Sequence, residues 1–129
     1  MGNIKEKDKE LLWCAICSKL PYGLYVKTTV SGKVGKMYLC HKNEFVMMQV
    51  EDDTLSTIVG IEHARPYLRS LDKMTKKEQK AYSKYAYFGN KLGDWSKSIM
   101  FLNKHFFDYN GLIKKGLALE AEEGMYDFK

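Results

Sequence analysis

Alternating apolar and polar residues from Leu24 to Ile61, set between helical spacings at Leu12-Ile16-Leu20 and at Trp95-Ile99-Leu102-Phe106, predict an α+β fold. The expected architecture is an N-terminal helix, a four-stranded antiparallel sheet able to curl into a partly open small barrel, and two or three C-terminal helices. The 129 residues hold only 2 prolines and contain no linker, repeat or low-complexity block, so residues 1–129 read as a single domain.

The first helix is expected from about Lys5 to Lys19, because Leu12, Ile16 and Leu20 share one face and Trp13 and Cys17 widen it. Pro21 and Gly23 stop it. Leu24, Val26, Thr28 and Val30 then alternate with Tyr25, Lys27 and Thr29, the pattern of a strand with one wet face. Ser31, Gly32 and Gly35 lead into a second strand at about Lys36 to His41, and Lys42-Asn43 suit a tight turn. Phe45 to Val50 is apolar on both faces. After the turn residues Asp52 and Asp53, a fourth strand is expected from about Leu55 to Ile61, which completes a meander.

The chain is expected to leave the sheet at Arg65-Pro66. Thr75 followed by Glu78 is a capping box, opening a helix to about Phe88 whose apolar side is Tyr82, Tyr85 and Phe88. Gly89-Asn90 ends it, and Asp94 is a plausible cap for the Trp95–Phe106 stripe. A short helical turn through Leu112 and Ile113 stops at Gly116, followed by a docking segment and an acidic tail.

The longest apolar run, Leu11–Cys17, is far shorter than the roughly 20 residues of a membrane span. The charged N-terminus from Lys5 to Glu10 lacks the pattern of a secretory signal, so a cytoplasmic location and no membrane partner are expected. Formal charge is +5 overall but +7 over residues 64–104 alone. There Arg65, Arg69, Lys73, Lys76, Lys77, Lys80 and Lys84 form the candidate binding segment, for nucleic acid or for a partner protein. Tyr67, Tyr82, Tyr85 and Tyr87 interleave with these cations as candidate stacking rings. Reversing Arg65, Arg69, Lys76, Lys77 and Lys80 to Glu is expected to abolish polyanion binding at little cost in stability.

Catalytic signals are sparse. Trp13-Cys14-Ala15-Ile16-Cys17 contains a C-x-x-C string, but late in a helix, where no helix N-terminus activates the first thiol. Buried structural cysteines are the expectation. A zinc site built from Cys14, Cys17, Cys40 and His41 would need two strand neighbours to reach the same face. His41, His63 and His105 lie in separate segments, and neither a nucleophile elbow nor a phosphate-binding glycine loop is present. No catalytic residue, metal ligand or cofactor is therefore assigned. The alternatives are a small enzyme using Glu62-His63 or His105-Asp108, and a homodimeric scaffold paired through Phe45, Met47 and Met48.

Three blocks carry a likeness to known sequences. They are Leu20-Pro21-Tyr22-Gly23, the run Arg65-Pro66-Tyr67-Leu68-Arg69 before Met74-Thr75-Lys76-Lys77-Glu78, and a C-terminal block of Leu102-Asn103-Lys104-His105-Phe106-Phe107-Asp108-Tyr109-Asn110-Gly111-Leu112-Ile113, Gly116-Leu117-Ala118-Leu119-Glu120-Ala121 and Glu123-Gly124-Met125-Tyr126. Together they resemble a family of small uncharacterised proteins of Bacteroides-type gut bacteria, often found beside prophage or mobile elements. The resemblance implies a binding or accessory role and carries over no catalytic residue. In its C-terminal block, His105, Asp108, Tyr109 and Asn110 sit between the apolar anchors Leu102, Phe106, Leu112 and Ile113. A hydrogen-bonded corner is expected there.

Overall fold

Each strand of the expected meander pairs with its sequence neighbour, and two further strands extend the sheet beyond the first of them. The computed structural model describes residues 5–41, 44–50, 56–86 and 92–126. Helix α1 (Glu6–Lys19) is followed by β1 (Tyr25–Thr28), β2 (Val34–His41), β3 (Phe45–Val50), β4 (Thr57–Gly60) and β5 (Ala64–Leu68). Helices α2 (Lys76–Ala86) and α3 (Leu92–Lys104) come next, and the short β6 (Leu119–Glu120) completes a sheet of order β4-β3-β2-β1-β5-β6. All pairings are antiparallel except β5 with β6.

The four-stranded sheet of the sequence reading is thus a mixed six-stranded one. Arg65 and Pro66 do not leave the sheet; they lie within β5, beside β1. The register shows why proline is tolerated there. Thr29 N–H donates to His63 C=O (2.9 Å), so the next hydrogen-bonded position along this ladder is Lys27–Arg65, and Pro66 stands opposite Val26 in the position without ladder bonds. On its other side β6 begins only opposite Tyr67, leaving no ladder for the missing N–H to interrupt.

The link from β4 to β5 also forces the sheet to curl. Gly60 and Ala64 are four peptide steps apart, a reach of at most about 15 Å. In a flat sheet the four intervening strand spacings alone would separate β4 from β5 by about 19 Å. The ladder does not close, however: β4 and β6 are its two edges, so the fold is no closed barrel.

The core lies between this curled sheet, α1 and the C-terminal segment. It joins Leu12 and Ile16 of α1 to Val26, Met37, Val46, Met48 and Val59 of the sheet and to Phe106, Leu112 and Leu117. Alternation in β2 breaks where the register shifts between Met37 and Leu39, leaving Tyr38 and Leu39 exposed. The proposed dimer strand is partly spent on this core: Met48 is fully buried and Met47 half-buried, while the Phe45 side chain lies outside the described part of the molecule.

The capping box forms as expected. Glu78 N–H donates to Thr75 Oγ1 (3.1 Å) and Thr75 N–H to Glu78 Oε1 (3.0 Å). The expected end of this helix at Phe88–Asn90, the Lys42-Asn43 turn and the Asp52-Asp53 turn all lie outside the described residues. Helix α3 begins at Leu92, ahead of the expected cap at Asp94, and its inward face holds Ser98 and Leu102 while Ile99 is exposed. Phe106 stands beyond the helix with φ 61, a reversal that returns the chain to the end of β5, where Arg69 N–H, one residue past the strand, donates to Phe106 C=O (2.8 Å). The third C-terminal helix is replaced by turns over residues 112–116 and by β6.

A phenol joins the sheet to the C-terminus. Counting along the β1–β5 ladder, Tyr25 and Tyr67 would be the next pair to exchange backbone bonds. Instead the Tyr126 hydroxyl lies between them, accepting from Tyr25 N–H (2.9 Å) and donating to Tyr67 C=O (2.8 Å). Its ring stacks on Phe106 with centroids 3.9 Å apart. Burial pushes this phenol well above the ordinary tyrosine range.

Candidate functional site

The basic segment divides into two kinds of cation. Arg65 and Arg69 are structural in their contacts, whereas Lys73, Lys76, Lys77, Lys80 and Lys84 are exposed. Arg65 Nη1 donates to the carbonyls of Glu62 (2.9 Å) and Ala64 (3.0 Å), closing the bend that enters β5. Arg69 grips Glu78 with two parallel bonds of 2.7 Å, and its guanidinium lies 4.4 Å from the centre of the Phe107 ring. The same guanidinium reaches His105 C=O (3.2 Å).

Glu78 is therefore taken off the solvent face of α2. Its side chain is 10% exposed, and despite burial, which opposes ionisation, Arg69 and the Thr75 cap hold its carboxyl down to about 2. His105 Nδ1 approaches the same carboxylate at 3.2 Å. Burial nonetheless keeps this imidazole below its ordinary range, outweighing the attraction of Glu78. The alternative reading paired His105 with Asp108 for acid–base chemistry, but the carboxylate that faces His105 is Glu78. Asp108 instead accepts from Leu112 N–H and Ile113 N–H (2.9 Å each), which makes the hydrogen-bonded corner.

The lysines occupy one stripe. Lys76, Lys80 and Lys84 recur every four residues, about 6 Å apart along the helix axis, and Lys73 and Lys77 flank them. Glu78 is the sole acid in α2, so once it turns inward this stripe carries no carboxylate from its own helix. Of the tyrosines that were candidate stacking rings, Tyr67 is buried and Tyr82 packs on Phe101 with centroids 6.1 Å apart. The side chain of Tyr85 and the whole of Tyr87 lie outside what is described.

Two further groups complete the set: Lys19, which the sequence reading missed, and the Cys17–Cys40 part of the four-ligand zinc arrangement weighed from sequence. Lys19 is 1% exposed: its Nζ donates to Asn103 Oδ1 (3.1 Å) and sits 4.6 Å from the centre of the Tyr109 ring. Burial lowers this ammonium to about 8, with Asp108 opposing the shift. Its place in α1, one turn beyond Ala15 and Ile16 on the buried face, is the only signal that would have found it. Second, Cys17 and Cys40 bring their sulfurs to 3.3 Å across α1 and β2, and burial pushes the Cys17 thiol up to about 12. His41 and Cys14 are exposed, and among the described residues no cluster of three candidate ligands forms. His63 Nδ1 lies 3.1 Å from Thr29 Oγ1, and its Nε2 is 3.9 Å from Glu62.

Among the described residues no helix is long and apolar enough to cross a membrane. No protein-family model, curated protein or solved structure matches the chain.

Proposed function

We propose that the protein is a non-enzymatic accessory module that binds nucleic acid through the lysine stripe from Lys73 to Lys84. The observation that carries this reading is the inward turn of Glu78. Sequence alone places an acid among these lysines, but Arg69 neutralises it within the fold, leaving a carboxylate-free helix face to meet phosphates. Such a face binds by displacing condensed counterions. If all five lysines engage a duplex, the slope of log affinity against log salt is about −4.5, that is, about 0.9 per phosphate neutralised.

The test is fluorescence anisotropy of labelled DNA and RNA at several salt concentrations, on wild type and on a variant with Lys76, Lys77, Lys80 and Lys84 changed to Gln. Arg65 and Arg69 are kept, because replacing Arg69 would strand Glu78; the five-residue reversal expected from sequence would therefore unfold as well as discharge. The variant should keep its melting temperature and lose about 3 to 4 from the salt slope. No salt-sensitive binding by wild type, or an unchanged slope in the variant, would overturn the reading.

A further inference from the structure

Beside α3 runs a groove that combines ammonium groups with aromatic walls. One part, a cleft of about 550 Å3, is lined by Lys97, Met100, Phe101, His105 and the two residues it shares with its neighbour, Tyr22 and Lys104. The adjoining hollow of about 440 Å3 continues past Gly23 to Tyr25 and Lys36. Neither part is lined by an aspartate or glutamate among the described residues. The next hollow beyond Lys36 contains Glu122 and Glu123, which end the cationic path.

The fold places these groups by identifiable means. Lys97, Phe101 and Lys104 recur at helical spacing on α3, so two ammonium groups flank one ring. Phe101 is braced by the rings of Tyr82, 6.1 Å away, and His105, 4.4 Å away. Tyr22 ends the short turn after α1 and is 37% exposed. Lys36 crosses over Gly23, where an added Cβ would meet its Cε at 3.5 Å, and holds its ammonium 5.4 Å from the centre of the Tyr25 ring. Gly23 is also required by its φ of 87.

We infer that this groove binds single-stranded nucleic acid, with a base stacked on Tyr22 and the flanking phosphates held by Lys36, Lys97 and Lys104. Tyr22 is the exposed ring that lines both hollows beside these ammonium groups, which suits an unpaired nucleotide, whose base face and phosphates are presented together; a duplex keeps its bases stacked on one another and offers only phosphates. The site rests on the nucleic-acid reading above and extends it, since the lysine stripe on α2 tells charge but not strandedness.

The experiment compares wild type, Tyr22→Ala, Tyr22→Phe and Lys104→Gln in anisotropy titrations with labelled oligothymidine, a duplex of equal length and inorganic polyphosphate as competitor. Melting temperatures confirm that each variant is folded. Tyr22→Ala should weaken oligothymidine binding about tenfold and leave polyphosphate competition unchanged, Tyr22→Phe should restore it, and Lys104→Gln should weaken both. If wild type binds no nucleic acid, both readings fall. If it binds but Tyr22→Ala matches wild type, or the duplex is preferred, the groove falls while the lysine stripe stands.

Discussion

Replacing Glu78 by Gln removes the charge that Arg69 was folded around. In the wild type the carboxylate accepts two bonds of 2.7 Å from Arg69 and one of 3.0 Å from Thr75 N–H, and it is held down to about 2 from an ordinary 4.5. That depression, roughly 2.5 units at about 1.4 kcal/mol each, corresponds to on the order of 3 kcal/mol of stability. Because the folded value lies below the unfolded one, the contribution is complete above about pH 4.5 and drains away as pH falls toward about 2. Urea unfolding followed by circular dichroism should show Glu78→Gln less stable than wild type by about 3 kcal/mol near neutral pH. Near pH 2.5 the gap should shrink to about 1 kcal/mol, since the wild-type carboxyl is then taking up its proton. Shared titrations cancel in this difference. A gap under about 1 kcal/mol at neutral pH, or one that does not change with pH, would refute the claim that the Arg69–Glu78 pair anchors α2 to the segment leaving β5.

Two other substitutions probe groups that the fold encloses. Lys19→Met should raise stability at neutral pH by about 1 to 3 kcal/mol, because a buried ammonium is replaced by an apolar chain while Asn103 Oδ1 keeps its bond from the Tyr109 hydroxyl (2.6 Å). With the folded value at about 8 and the ordinary one at 10.5, wild type should gain on this variant as pH rises through that interval; unfolding curves that stay parallel would count against a buried charge. Tyr126→Phe leaves Tyr25 N–H and Tyr67 C=O without their shared hydroxyl and should cost about 1 to 3 kcal/mol. Amide exchange at Tyr25 should accelerate in that variant; unchanged protection there would show that the phenol does not bridge the strands.

The elements that could be read from the chain are those whose signal is local. Thr75 and Glu78 stand three residues apart and form the expected box, since both partners belong to one turn. The alternation from Leu24 onward yields the first four strands and their meander, because each is joined to the next by a short link. Pro66 misled for the same reason. Its missing N–H matters only relative to neighbouring strands, and the register that excuses it is set by β1 and by the distant β6. The stripe of α3 was misplaced because Ile99 and Ser98 exchange the roles that polarity assigns them, with the serine buried and the isoleucine exposed.

Composition and spacing, then, determined the α+β class, the capping box, the concentration of positive charge between residues 64 and 104 and the lysine periodicity within it. Tertiary structure decided which of those charges face outward. Arg69 meets Glu78 because the residue that follows β5 reaches the first turn of α2, Lys19 is enclosed because the Asn103–Tyr109 corner folds over it, and Tyr22 joins Lys97 and Lys104 because the turn after α1 abuts α3. The physical reason is common to all three. Charge is a property of a residue, but its availability depends on desolvation and on partners up to 84 positions away, which no local pattern encodes.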